Sequence, residues 1–169
     1  MKIYTYPDPV LRENAAPVEE IDNDIQELIE DMIKTMYEAP GIGLAANQVG
    51  VLKRVIVFDG SPGEKGKNPE ALINPEIVVK EGIITSEEAC LSVVDFAADV
   101  SRASQVRVRG LNRDGNQVEI EAGDLKAICL QHEIDHLDGI LFIDHISSLK
   151  RTLYKKKLKK KLKESESPT

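Results

Sequence analysis

The chain has 169 residues, two cysteines, no tryptophan and a formal net charge of −7. That length can bury one real core, the cysteine count excludes a disulfide framework, and no apolar run reaches the 18 residues a membrane span needs. Charge is unevenly divided: residues 150–169 hold nine Lys/Arg against two Glu, a net of +7, which leaves −14 on residues 1–149.

The first segment, MKIYTYPDPV, has no basic region followed by an apolar run, so no secretory signal is expected. Residues 24–38 form the clearest helix, with Ile25, Leu28, Ile29, Met32, Ile33, Met36 and Tyr37 on one apolar face. GIGLAANQVG follows. Its Gly41-x-Gly43-x-x-Ala46 loosely fits a dinucleotide fingerprint, but that fingerprint must follow a strand and open a helix, whereas this segment follows a helix. No nucleotide cofactor is expected; the glycines let backbone approach a ligand, and Gln48 offers a neutral donor suited to an oxyanion.

RVIVFD (54–59) reads as a strand and SPGEKGKNPE (61–70) as an exposed loop. ALINPEIVVKEG reads as a strand pair or one bent strand interrupted at Pro75, and residues 105–122 as a hairpin around Asp114-Gly115. A helix is predicted from Asp124, as its cap, to Gly139 just past its end, and a second one over the basic tail, with Leu149, Leu153, Leu158 and Leu162 at near-helical steps and Ser147 or Ser148 as cap. Strands run consecutively without alternating helices. The expected fold is α+β: antiparallel sheets around the 124–138 helix, an N-terminal helix, one domain over residues 1–149, and a basic helical extension over 150–169, frayed at its end.

Chemistry concentrates in QHEIDHLDG (131–139). Leu125, Ile128, Cys129, His132 and His136 share one helical stripe; imidazoles one turn apart can converge on one ion, and Glu133 can reach a bound water. A third ligand must come from few candidates. Position 142 is Phe, which breaks the longer peptidase motif, and Cys129 lies seven residues from His136, about 10 Å along the axis. His145 could serve only through a sharp reversal. Cys90, in SEEACLSV, is the remaining choice; a Cys90–Cys129 bridge is the competing use of that thiol. One thiolate and two imidazoles leave a fourth position open, as in a catalytic site.

Taken together, GIGLAANQ, EACLS and QHEIDHLDG resemble the three motifs of the peptide deformylase family, G-x-G-x-A-A-x-Q, E-G-C-L-S and H-E-x-D-H-x-x-G, in the same order. The likeness runs from YPDPVLR through the hairpin to the basic tail. It implies Cys90, His132 and His136 as ligands of one divalent metal, Fe2+ in the cell, with Zn2+, Ni2+ or Co2+ able to occupy the site. It implies Glu133 as general acid/base, and Gln48 with the Leu91 backbone N–H as oxyanion hole. The reaction would be removal of the N-formyl group from the methionine of nascent polypeptides, releasing formate, by attack of hydroxide generated at the metal. Leu125, Ile128 and Cys129 are expected to receive the methionine side chain, with Ile42, Gly43 and Glu88 completing the substrate contacts. The basic tail would dock on the ribosome, no membrane partner is expected, and a bacterial cytosol fits best.

Two departures stand out: the family glycine before the cysteine is Ala89, which would be crowded if the backbone there needs φ > 0, and the usual Ile-Pro is Val93-Val94. Two other classes compete with the deformylase, a zinc endopeptidase and a non-catalytic ribosome- or RNA-binding module with a structural metal.

Overall fold

The structure, a computed structural model, describes residues 1–61 and 67–166. Helix α1 (Asn23–Glu38) starts where the Asp22 carboxylate accepts from the Ile25 N–H. It buries the expected face, Ile25, Leu28, Ile29, Met32 and Met36, against Leu44, Val55, Val57 and Ile73. Those last four belong to a five-stranded antiparallel sheet, ordered β1 (Gly43–Ala45), β2 (Val55–Asp59), β3 (Pro69–Glu81), β6 (Gln105–Leu111), β7 (Gln117–Gly123).

The opposite face of that sheet presents Ile56, Phe58, Leu72, Val106, Val108 and Ala122 to Ala127, Leu130, Ile134 and Leu137 of helix α2 (Asp124–Leu137). Strand β2 is thus covered on both sides, which is why its sequence is a continuous apolar run rather than an alternating one. Residues 71–82 resolve the strand-pair ambiguity in favour of one bent strand: the register shifts between Ile73 and Glu76, where Asn74 sits at φ 53° and its side chain exchanges two hydrogen bonds with the Val18 backbone. Pro69 and Glu70 already belong to this strand, so the expected 61–70 loop is shorter than predicted; its residues 62–66 lie outside the described residues.

The capping role predicted for Asp124 fails. Gly123 holds the cap position, no side chain caps the helix, and Asp124 itself takes φ 51° while its N–H donates to the Ser104 carbonyl. The helix leaves β7 so abruptly that the turn, rather than a cap, sets its start. At the other end Gly139 adopts φ 72° and its N–H bonds the His136 carbonyl; a Cβ there would meet the Arg12 carbonyl at 2.6 Å.

Residues 84–102, not assigned to strands from sequence, form a separate hairpin of β4 (Ile84–Cys90) and β5 (Val93–Arg102). Its inner face packs Val93, Ala98 and Val100 on Leu141, Phe142, Ile143 and Tyr154. Helix α3 (Ser148–Glu166) begins with the Ser147 hydroxyl accepting from the Lys150 N–H. Tyr154, not the leucine stripe, anchors it: its ring lies 4.5 Å from Phe96, whereas Leu149 and Leu153 are 69% and 57% exposed. An ion pair between Lys161 and Asp95 ties the helix to the hairpin. No helix among the described residues is long and apolar enough to cross a membrane.

Candidate metal centre

Two elements meet at the site. Helix α2 presents His132 and His136 from successive turns, and the tip of the β4–β5 hairpin presents Cys90. The Cys90 Sγ lies 3.3 Å from His136 Nε2, the two Nε2 atoms are 3.3 Å apart, and all three donors fall within 4.8 Å of one another. An ion bound tetrahedrally at about 2.0–2.1 Å from nitrogen and 2.3 Å from sulfur would hold its donors roughly 3.3–3.6 Å apart. The donor set therefore fits a divalent cation, and both cysteines are free thiols.

The ligand orientation is braced from behind. Glu88 accepts from His132 Nδ1 at 2.9 Å, which leaves Nε2 for the ion. Arg102 holds the same carboxylate through two bonds, 2.6 and 2.9 Å, and reaches Asp135 of the helix at 2.9 Å. Asp135 also pairs with His145, which is thereby a support of the helix and not a ligand. Burial alone would raise Glu88, yet the hydrogen bonds from His132 and Arg102 hold it below the ordinary carboxylate range. Both oxygens are thus engaged in support of the site, and Glu88 also lines the cleft.

Glu133 is 4% exposed, and its Oε1 has no partner among the described residues. Burial pushes this carboxyl up to about 7, with His132 and Arg102 pulling the other way and Glu88 and Asp135 adding to the rise. It lines a cleft of about 400 Å3 together with Ile42, Gly43, Leu125, Ile128 and Cys129. Gly43 must be glycine: a Cβ would come 2.5 Å from Glu133 Oε2 and 2.8 Å from Cys129 Sγ. Cys129, its thiol pushed well above the usual range by burial, donates to the Ile42 carbonyl at 3.6 Å and is a neutral wall residue. Leu125 stands half-exposed at the mouth.

Gln48 is fixed at both ends of its amide. Oε1 accepts from the Ala45 N–H at 3.0 Å, and Nε2 donates to Ser92 Oγ at 3.0 Å with Cys90 Sγ at 3.7 Å, so its N–H edge faces the metal centre. The Leu91 N–H has no acceptor among the described residues. Sequence reading missed Ser92, fully buried, whose N–H also points at Cys90 Sγ (3.4 Å), and Phe142, which stacks on the His132 ring. A serine two residues after a cysteine carries no periodic signal, and Phe142 was weighed only as a missing histidine. Ala89 sits in an extended strand without positive φ, so its methyl is accommodated.

Comparison with known proteins gives a uniform result. The polypeptide deformylase family model matches residues 1–152. A peptide deformylase of Thermodesulfovibrio yellowstonii is 56% identical over 95% of this chain and 98% of its own length, and one of Syntrophobacter fumaroxidans is 54% identical over 98% and 97%. Among solved structures, a peptide deformylase from Legionella pneumophila aligns at TM-score 0.89 and 46% identity over 99% of this chain and 98% of its own. One from Ehrlichia chaffeensis in complex with actinonin aligns at 0.89 and 38% over 95% and 96%.

Proposed function

Because the chain belongs to the peptide deformylase family, we propose that Cys90, His132, His136 and Glu133 carry out that family's reaction here, each in a definite role. The enzyme is a hydrolase that removes the formyl group from the N-terminal methionine of nascent polypeptides and releases formate; the endopeptidase and the non-catalytic module are not favoured. The observation that carries the assignment of roles is the convergence of three donors from two separate segments beside a cleft into which a buried carboxylate faces.

Strand β1 is the edge of its sheet, and β4 pairs only with β5, so two strands with unpaired edges flank the cleft. An extended peptide lies between them by main-chain hydrogen bonding, its methionine side chain against Ile128 and Cys129. A divalent cation held by Cys90, His132 and His136 would supply Lewis-acid polarisation and acidify a water. Glu133 takes the proton of the attacking water and hands it to the methionine nitrogen as the C–N bond breaks, and its burial favours the protonated form that the second transfer uses. Gln48 Nε2 and the Leu91 N–H donate to the formyl oxygen as charge gathers there.

The family is metal-dependent; Fe2+ is our reading of the cellular ion, with Zn2+, Ni2+ or Co2+ as substitutes. Helix α3 turns Lys155, Lys156, Lys159 and Lys163 outward, which supports docking on ribosomal RNA phosphates in a bacterial cytosol. Residues 1–149 form the catalytic unit in this reading. Formate release from a formyl-Met peptide by protein loaded anaerobically with Fe2+ tests the function. Glu133→Ala should abolish release and keep the metal; release without a formyl group, as internal cleavage, would overturn it. Ribosome pelleting should fall steeply with salt and on removal of residues 150–169; equal pelleting removes that partner.

A further inference from the structure

We propose that the groove between strand β5 of the hairpin and helix α3 is a subsite for downstream residues of the polypeptide substrate, seating an apolar side chain on Phe96 and Leu153 and a basic one against Glu87 and Asp99. This rests on the deformylase reading, since the substrate must already lie in the cleft. The groove has a volume of about 410 Å3. Four observations lead to that occupant.

Glu87 borders both the catalytic cleft and the groove, so the two meet at this residue. The ridge between them is low: Ala89 stands directly opposite Ala97, both exposed, with nothing larger than a methyl to block a chain crossing the hairpin. The next outward pair is Glu87 opposite Asp99, two carboxylates in register, an arrangement that destabilises an antiparallel sheet by itself. Neither has an ion-pair partner among the described residues. Lys150 and Lys157 also line the groove and form no ion pair with either acid among the described residues. Finally, Leu153 is 57% exposed on a helix otherwise anchored by Tyr154, and half-buried Phe96 forms the floor beside it.

Reach is consistent with this path. Glu87 is three residues from Cys90 along β4, about 10 Å at strand spacing, so roughly the fourth to sixth residues of an extended substrate arrive at the groove. A short formyl peptide would not use it, and a growing chain would.

The test compares a formyl-Met tripeptide with a decapeptide of the same first three residues and Leu and Lys at the fifth and sixth, on full-length metal-loaded protein. The decapeptide should show about tenfold higher kcat/KM, carried by KM, the effect of one well-seated side chain. Leu153→Glu and Asp99→Lys should each reduce that advantage to within about twofold, with tripeptide turnover unchanged, and a decapeptide with Asp in place of Lys should regain it in Asp99→Lys. Equal kcat/KM for the two peptides, or an advantage surviving both substitutions, overturns the subsite. Tripeptide turnover reports on deformylation separately.

Discussion

Gly43→Ala is the sharpest probe of the site, because the added methyl points at the Glu133 carboxylate. The new Cβ would stand 2.5 Å from Glu133 Oε2, 2.9 Å from Glu133 Cγ and 2.8 Å from Cys129 Sγ, whereas ordinary contact begins at about 3.4 Å. Neither side can yield freely. Strand β1 is held in register with β2, Gly43 opposite Phe58, and Glu133 and Cys129 project from a helix whose other face is locked into the core. The least costly relief is a swing of the Glu133 carboxylate by roughly 0.9 Å, and displacements near 1 Å in a catalytic group can cost about a hundredfold in rate. Overpacking adds about 1–3 kcal/mol of destabilisation. The assay is kcat by formate release, with metal content and Tm measured on the same preparation. Gly41→Ala is the control: its Cβ meets only the tip of the Leu91 side chain, at 3.0 Å. A Gly43→Ala protein within about twofold of normal kcat would refute the reasoning.

Glu88→Ala should destabilise the fold by about 3–5 kcal/mol in denaturant, since it leaves Arg102 buried without its bidentate partner, and weaken metal binding about 10–100-fold in chelator competition. Glu88→Gln should recover part of the metal affinity and little of the stability. Asp144, which burial alone would raise, is held below the usual carboxylate range by Arg12 and the Leu141 N–H. Its folded value being the lower one, its stabilisation is present above the unfolded carboxylate pKa and lost as pH falls through the folded one; Asp144→Asn should flatten that acid limb in pH-dependent thermal melts. With Glu133 near 7 in the metal-free protein, cation binding at pH 7 should expel about half a proton from it in addition to those the ligand set releases, so calorimetry in buffers of differing ionisation enthalpy should read about half a proton less for Glu133→Gln.

The sequence made the α2 residues legible because helical spacing is rigid: His136 stands four positions, about one turn, beyond His132, which brings both rings to one side of the helix. Cys90 followed by elimination, helped by how few thiols and imidazoles the chain has. The scaffold of Cys90 was far less legible. Strand β4 buries Glu88 through Arg102 and His132 instead of through an apolar face, so the alternation that marks a strand is missing. Helix α3 was legible as a helix capped by a serine, but its anchoring was not. Its leucines are mostly outside, and a single tyrosine makes the anchoring contact with an aromatic ring from another element, which no local periodicity reports.

The β4–β5 hairpin explains why so much of the site depends on one small element. Residues two apart on a strand share a face, so Glu88 and Cys90 both turn inward, one to orient His132 and the other to join it at the metal. In the proposed reaction the next residue, Leu91, brings its N–H to the formyl oxygen, and the outer edge of the same strand takes the peptide. A one-residue slip of β4 against β5 would turn all of these outward together. Three devices oppose that slip: the irregularity between Ala89 and Cys90, the Arg102 fork that ties the far end of β5 back to Glu88, and the seating of Phe96 on Phe142, itself stacked under His132. Ligand, ligand support and oxyanion donor are thus fixed by a single register, so Arg102, which touches neither metal nor cleft chemistry, is as necessary to the geometry as the residues it holds.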